Sequence, residues 1–138
     1  MATTLNPYLN FRDGTRDVMA FYASVFGGEL TLSTFAESGG TGVDEAEQDK
    51  VMHSQLVTDD GLTLMAADVP SSMDVSANGT VSLSGDDEAT LRGYWDRLVD
   101  GGSATVPLEK APWGDTFGMC TDRFGVAWMV DIVGSGGS

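Results

Sequence analysis

A chain of 138 residues with 41% hydrophobic and 20% charged side chains is neither disordered nor fibrous, and suits one compact domain or two small modules sharing a core. Its net charge of −14, from 21 acidic against 7 basic residues, repels phosphate backbones and argues against a nucleic-acid partner. One cysteine, Cys120, rules out an internal disulfide. No apolar run approaches the roughly 18 residues of a membrane span, and MATTLN at the start lacks the basic and apolar regions of a secretory signal, so a cytoplasmic protein is expected.

In chain order, TLNPYLNF (4–11) alternates, with Leu5, Pro7, Leu9 and Phe11 on one side and Asn6, Tyr8 and Asn10 on the other, which predicts a half-buried strand. In TRDVMAFYASVFGG (15–28), Val18, Phe21, Tyr22, Val25 and Phe26 recur at helical spacing. Thr15 is the expected cap and Gly27-Gly28 the stop. ELTLSTFA (29–36) reads as a strand, and the acidic, Gly-rich ESGGTGVDEAEQDK (37–50) as a mobile loop. VMHSQLVTD (51–59) and LTLMAAD (62–68) flank Asp60-Gly61, a hairpin signal, and VPSSMDVSANG (69–79) reads as a linker.

The same order then recurs. TVSLSG (80–85) alternates as a strand, and DDEATLRGYWDRLVDGG (86–102) is an amphipathic helix with acids in its first turn and two glycines at its end. SATVPL (103–108) is a strand, EKAPWGD (109–115) a loop, and TFGMCTD (116–122) with VAWMVDI (126–132) a second hairpin around Arg123-Phe124-Gly125. GSGGS (134–138) is a flexible tail. FYASVFGGELTL and YWDRLVDGGSATV each carry an aromatic pair, two glycines and a strand. TDDGLTLM and TDRFGVAWM align with one inserted residue, which matches His53 with Thr116, Gln55 with Gly118 and Leu56 with Met119. The expected architecture is α+β: one domain over 1–136 made of two βαβββ modules, 4–68 and 80–132, each a concave mixed sheet with one helix on its outer face.

A single helix covers one side of each sheet. Alternation puts Leu5, Leu9, Phe11, Leu56, Leu64, Val81, Leu83, Met119, Trp128 and Val130 under the helices. It leaves Asn6, Tyr8, Asn10, His53, Gln55, Val57, Thr63, Met65, Ser82, Ser84, Thr116, Gly118, Cys120, Ala127 and Met129 uncovered. That mixture of apolar and polar groups suits a small-molecule cavity. Packing of the two uncovered faces on each other would be the structural alternative.

The βαβββ–βαβββ order, with FYASVFGGEL, MHSQL and PWGDTFGMCTDRFGVAWMV at their places, resembles the vicinal oxygen chelate (glyoxalase/bleomycin-resistance/dioxygenase) superfamily. Within it, the chain resembles the PhnB-like branch, whose members are also labelled 3-demethylubiquinone-9 3-methyltransferases. The resemblance spans nearly all of residues 4–132 and implies paired modules, a homodimer and concave sheets enclosing the site. It also implies a divalent metal held by a His early in a module's first strand and a Glu four residues after the hairpin glycine. This chain departs there. The Glu positions carry Met65 and Met129, the first-strand positions fall at Asn6 or Pro7 and near Thr80 or Ser82, and His53 is the one histidine. A thioether is a poor ligand for hard divalent ions, so no metal and no other cofactor is expected. No GxSxG elbow, P-loop or nucleotide-binding glycine loop is present, and Gly39-Gly40-Thr41-Gly42 reads as loop punctuation.

Three functions remain open. The first is a binder of a small apolar or aromatic molecule, with Asn6, Tyr8, Gln55, Met65, Ser82, Trp113 and Met129 as ligand-binding residues. The second is a lyase or isomerase using His53 as base, or a non-standard metal site. The third is a dimerising or partner-binding subunit. His53 is read either as a catalytic or hydrogen-bonding group facing the cavity with Asp68, or as a satisfied structural histidine. Trp113-Gly114-Asp115 is read as a loop closing the pocket mouth or as a packing turn. Asp59, Asp122 and Asp131 are expected to cap turns or strand ends.

Overall fold

The computed structural model describes residues 6–37, 39, 43–75 and 78–134. The expectations for Leu5, for Gly40-Thr41-Gly42 and for the tail beyond residue 134 fall outside them. The chain divides into two compact units, residues 1–78 and 79–138, and each predicted module lies within one of them.

The first unit runs β1 (Tyr8–Phe11), α1 (Thr15–Phe26), β2 (Glu29–Thr34), β3 (Val51–Val57) and β4 (Thr63–Asp68); the second runs β5 (Val81–Gly85), α2 (Glu88–Val99), β6 (Ser103–Lys110), β7 (Thr116–Thr121) and β8 (Ala127–Ile132). The sheet orders are β1-β4-β3-β2 and β5-β8-β7-β6. In each, the first strand runs parallel to the last and the other pairings are antiparallel. Each sheet is therefore mixed, with its helix on one face. Under α1 lie Leu9, Leu56, Leu64 and Ala66, and α1 contributes Val18, Met19, Tyr22, Val25 and Phe26. Under α2 lie Cys120, Trp128 and Val130, covered by Leu91, Tyr94, Trp95 and Leu98. Two hydrophobic cores result, each a sheet face closed by one apolar helix stripe.

α1 starts differently from the expectation. Gly14 holds φ +82 before it, and Thr15 is the first helical residue. The Thr15 hydroxyl is buried and makes no hydrogen bond among the described residues. The cap comes from β4: Asp68 Oδ1 accepts the Thr15 backbone N–H at 3.0 Å, while Oδ2 accepts the Val51 N–H at 2.8 Å. One buried carboxylate thus satisfies an orphan donor at a helix N-terminus and ties in the start of β3. α2 is capped locally, Asp87 accepting the Thr90 N–H.

Gly28 and Gly102 mark the same place after the two helices. A Cβ on Gly28 would collide with the Val57 carbonyl, and one on Gly102 with the Thr121 carbonyl. The chain leaving each helix passes so close to the end of its hairpin that only a hydrogen fits.

Segments read as loop and linker are partly built. Glu45–Glu47 forms a short 3-10 turn. Glu47 bonds to Lys50 Nζ at 2.9 Å and accepts from the Ser71 N–H and hydroxyl, fastening the linker to the loop. Lys50 also reaches the Arg12 carbonyl. Asn78 exchanges two hydrogen bonds with the Asn10 backbone. The outer strands β2 and β6 are irregular: the register shifts between Ser33 and Thr34, between Ala104 and Val106, and between Val106 and Glu109.

The hairpins correct the expected repeat register. Thr58 and Asp122, not Asp59 and Asp122, are equivalent: their N–H groups donate to Leu62 O and Val126 O, and their carbonyls accept from Gly61 and Gly125. Both turns have the same length, with no inserted residue. Trp128 pairs with Cys120 and Val130 with Gly118, so Gly118, Cys120 and Thr116 lie on the helix side of β7 and Met119 on the uncovered side, opposite to the expectation. Gly118 leaves room for the Trp95 ring, which a Cβ there would strike.

Candidate functional site

In the first unit the uncovered face carries a row of four side chains across the sheet: Tyr8 on β1, Met65 on β4, Gln55 on β3 and Thr31 on β2. His53 follows two residues along β3 from Gln55, with Ser33 across from it. Strand alternation brings these side chains together. Tyr8 Oη stands 3.5 Å from His53 Nδ1, at the outer limit of a hydrogen bond, and the two rings lie 6.0 Å apart, tilted by 31°. Burial pushes the Tyr8 hydroxyl above its ordinary pKa, so it stays protonated. The Gln55 side-chain amide has no hydrogen-bond partner among the described residues. Asn6 lies just ahead of β1, half-buried.

Asp68 does not join His53 on this face; both its oxygens are spent on backbone N–H groups. Strand alternation could not reveal this, because the partners, Thr15 and Val51, are far away in sequence.

The second unit has an equivalent row: Ser82, Met129, Met119 and Val106. Met119 replaces Gln55 there, and sequence reasoning missed it by one residue. A second row runs Ser84, Asp131, Phe117 and Glu109. Trp113, 60% exposed, lies edge-on to Phe117 at 5.8 Å, in a turn closed by the Ala111 N–H on the Asp115 carbonyl. Asp131 is no strand-end cap. Burial raises its pKa, and the neighbouring Asp115 carboxyl raises it further. Asp115 in turn accepts the Gly134 N–H at 3.0 Å. An acid in an alternating strand reads as plain surface, so nothing in the sequence signalled this pair.

Asp122 is a cap, and more. Oδ1 accepts from the Phe124 and Val126 N–H groups, and Oδ2 from the Trp128 indole N–H at 2.9 Å. Cys120 is fully buried; burial and the Asp122 charge push its thiol up to about 11, so it is a packed thiol rather than a nucleophile.

A divalent metal does not fit these residues. The two positions four residues after the hairpin glycines present thioethers into the middle of each row, and no group of three His, Cys, Asp or Glu side chains converges among the described residues. The remaining residues contain none of those four types. The arrangement can instead offer a partly apolar surface with a phenol, an imidazole and a free amide.

The family model described as the Glyoxalase/Bleomycin resistance protein/Dioxygenase superfamily matches residues 4–130. The chain is 29% identical to Protein YjdN of Escherichia coli K12, over 94% of this chain and 95% of that one. The crystal structure of protein PA1353 from Pseudomonas aeruginosa superposes with a TM-score of 0.81 at 33% identity, covering 97% of this chain and all of the other. The putative 3-demethylubiquinone-9 3-methyltransferase, PhnB protein, from Bacillus cereus shares the fold, with a TM-score of 0.69 at 20% identity over 95% of this chain and all of that one.

Proposed function

From the premise that this chain belongs to the glyoxalase/bleomycin resistance protein/dioxygenase superfamily, we propose that it is a PhnB-like member that binds a small apolar or aromatic molecule on its uncovered sheet surface without a metal centre. The observation that carries this reading is the Tyr8–Met65–Gln55–Thr31 row with His53 beside it. Apolar contact area and unsatisfied hydrogen-bonding groups sit side by side there, with a thioether where the superfamily resemblance calls for a carboxylate ligand. Ser82 and Met129 extend the same chemistry to the second unit, and Trp113 offers an exposed ring. A homodimer located in the cytoplasm belongs to this reading. No helix of the described residues is long and apolar enough to cross a membrane. A thermal-shift screen of aromatic and apolar compounds tests the binding reading: a saturating ligand must raise the midpoint. No shift across such a screen removes its support.

The Tyr8 contact with His53 favours one second reading, a lyase or isomerase in which a positioned imidazole takes a substrate proton. Elemental analysis of protein purified without chelators, with turnover compared in His53→Ala, separates the two. Stoichiometric metal or a His53-dependent reaction favours the enzyme.

A further inference from the structure

Resting on the binding reading above, we infer that the uncovered face of the first unit selects a neutral aromatic molecule carrying an oxygen, of the phenol or aryl-ketone class, over aromatic cations and anions. The chain as a whole has 21 acids against 7 bases, yet this face is nearly free of charge. Of the residues that alternation places on β1 to β4 of the uncovered side, the one carboxylate is Glu29, at the exposed start of the edge strand β2, opposite Val57. Neither lysine nor arginine points there from a strand. The nearby bases are engaged elsewhere: Lys50 with Glu47 and the Arg12 carbonyl, Arg12 with the carbonyls of Val69 and Pro70. An anion would meet no lysine or arginine from these strands and would be repelled by the chain's net charge. A cation seated beside Met65 would lose hydration with no carboxylate in the row to replace it.

What the face does offer is a small set of hydrogen-bond donors and acceptors. If His53 carries its proton on Nδ1, it donates to Tyr8 Oη and frees the Tyr8 hydroxyl proton. If the proton is on Nε2, Nδ1 accepts from Tyr8 and the Nε2–H is free. In either tautomer the pair turns one donor outward, and the Gln55 amide adds a second donor and an acceptor. The 3.5 Å gap between Oη and Nδ1 leaves that contact weak, so a ligand oxygen gains more than it displaces. The Met65 sulfur and the Tyr8 ring supply a surface for an aromatic ring.

Three single-ring probes of similar size test this by calorimetry at neutral pH with the full chain: para-hydroxyacetophenone, benzoate and benzamidinium. The expected result is that the neutral ketone binds, the charged probes bind at least about 10-fold more weakly, and Tyr8→Phe or Gln55→Ala weakens the ketone by about 10-fold, the loss of one hydrogen bond. Both variants lie on the uncovered face, and an unchanged melting temperature shows that they fold. If a charged probe binds as tightly as the ketone and loses affinity in the same variants, the inference on ligand class is overturned while the binding reading stands. If no probe binds, or binding ignores both variants, the inference on this face fails, and the thermal-shift screen decides separately whether the binding reading fails with it.

Discussion

Asp122 occupies in the second unit the place that Thr58 occupies in the first. The Thr58 hydroxyl accepts the Leu62 N–H at 2.9 Å, and Asp122 Oδ1 accepts the Val126 N–H at 3.1 Å. The carboxylate has an oxygen to spare, and it holds the buried Trp128 indole where the first unit has Leu64. Asp122→Thr therefore keeps the turn but strands a buried N–H, at about 1–3 kcal/mol. Trp128→Leu leaves a cavity costing about 3 kcal/mol. The double substitution, which copies the Thr58 and Leu64 pairing, should cost less than the sum by about 1 kcal/mol or more in urea unfolding. Strict additivity would mean that the indole–carboxylate bond stabilises nothing.

Two carboxyl groups should bend the pH dependence of stability in opposite directions. Hydrogen bonds from Lys50 first, then from Ser71, hold Glu47 down at about 2 against an ordinary 4.5. Its contribution is full above the ordinary value and is lost as pH falls through the folded one. Asp131 is raised above its ordinary 3.8 by burial and by Asp115. The folded state favours its protonated form, so stability declines as pH climbs from that ordinary value through the raised one. Melting curves across acid pH should show Glu47→Gln losing stability at neutral pH and converging on the parent in strong acid. Asp131→Asn, which keeps a donor for Asp115, should gain stability at neutral pH and lose the decline. A neutral-pH loss in Asp131→Asn would contradict the view that burial and the neighbouring Asp115 penalise the charged Asp131 carboxylate.

The close passage after each helix predicts a graded series. Gly28→Ala meets the Val57 carbonyl and also forces alanine to φ +103, so a cost of about 3 kcal/mol or more is expected. Gly102→Ala meets the Thr121 carbonyl without the positive φ and should cost about 2 kcal/mol. Gly125→Ala, at φ +84 with open space around it, should cost about 1 kcal/mol. Chemical denaturation of the three variants gives the order; equal losses would show that the turn backbone yields to the added methyl.

Asp68→Ala removes the acceptor of two buried backbone donors and should cost about 3 kcal/mol, with Asp68→Asn in between. Amide exchange gives the sharper readout: Thr15 and Val51 should lose protection together, although they sit on different elements.

Element order, both helices and the uncovered side of β1, β3 and β4 around Tyr8, Gln55, His53 and Met65 were legible in the sequence, because periods of 2 and 3.6 are set by backbone geometry, whereas Thr31 and Ser33 of β2 were not singled out. The face of β7 was not. Thr58-Asp59 and Thr121-Asp122 look alike as letters, but the residue that matters is the one whose side chain closes the turn, and threonine and aspartate both do so. The sequence matched spelling where the fold matches a hydrogen bond. Asp68 and Asp131 were misread for a related reason: their partners come from other elements, and local pattern carries no record of them.

The irregular outer strands carry a last consequence. An antiparallel rim with regular spacing is a template on which another chain's strand can zip. Here β2 steps out of register at Ser33, and β6 does so on each side of Val106, the second step spanning Pro107, which also lacks an N–H to offer. A ladder started on β2 or β6 would break within a few rungs, so these two rims are poor templates for a foreign strand.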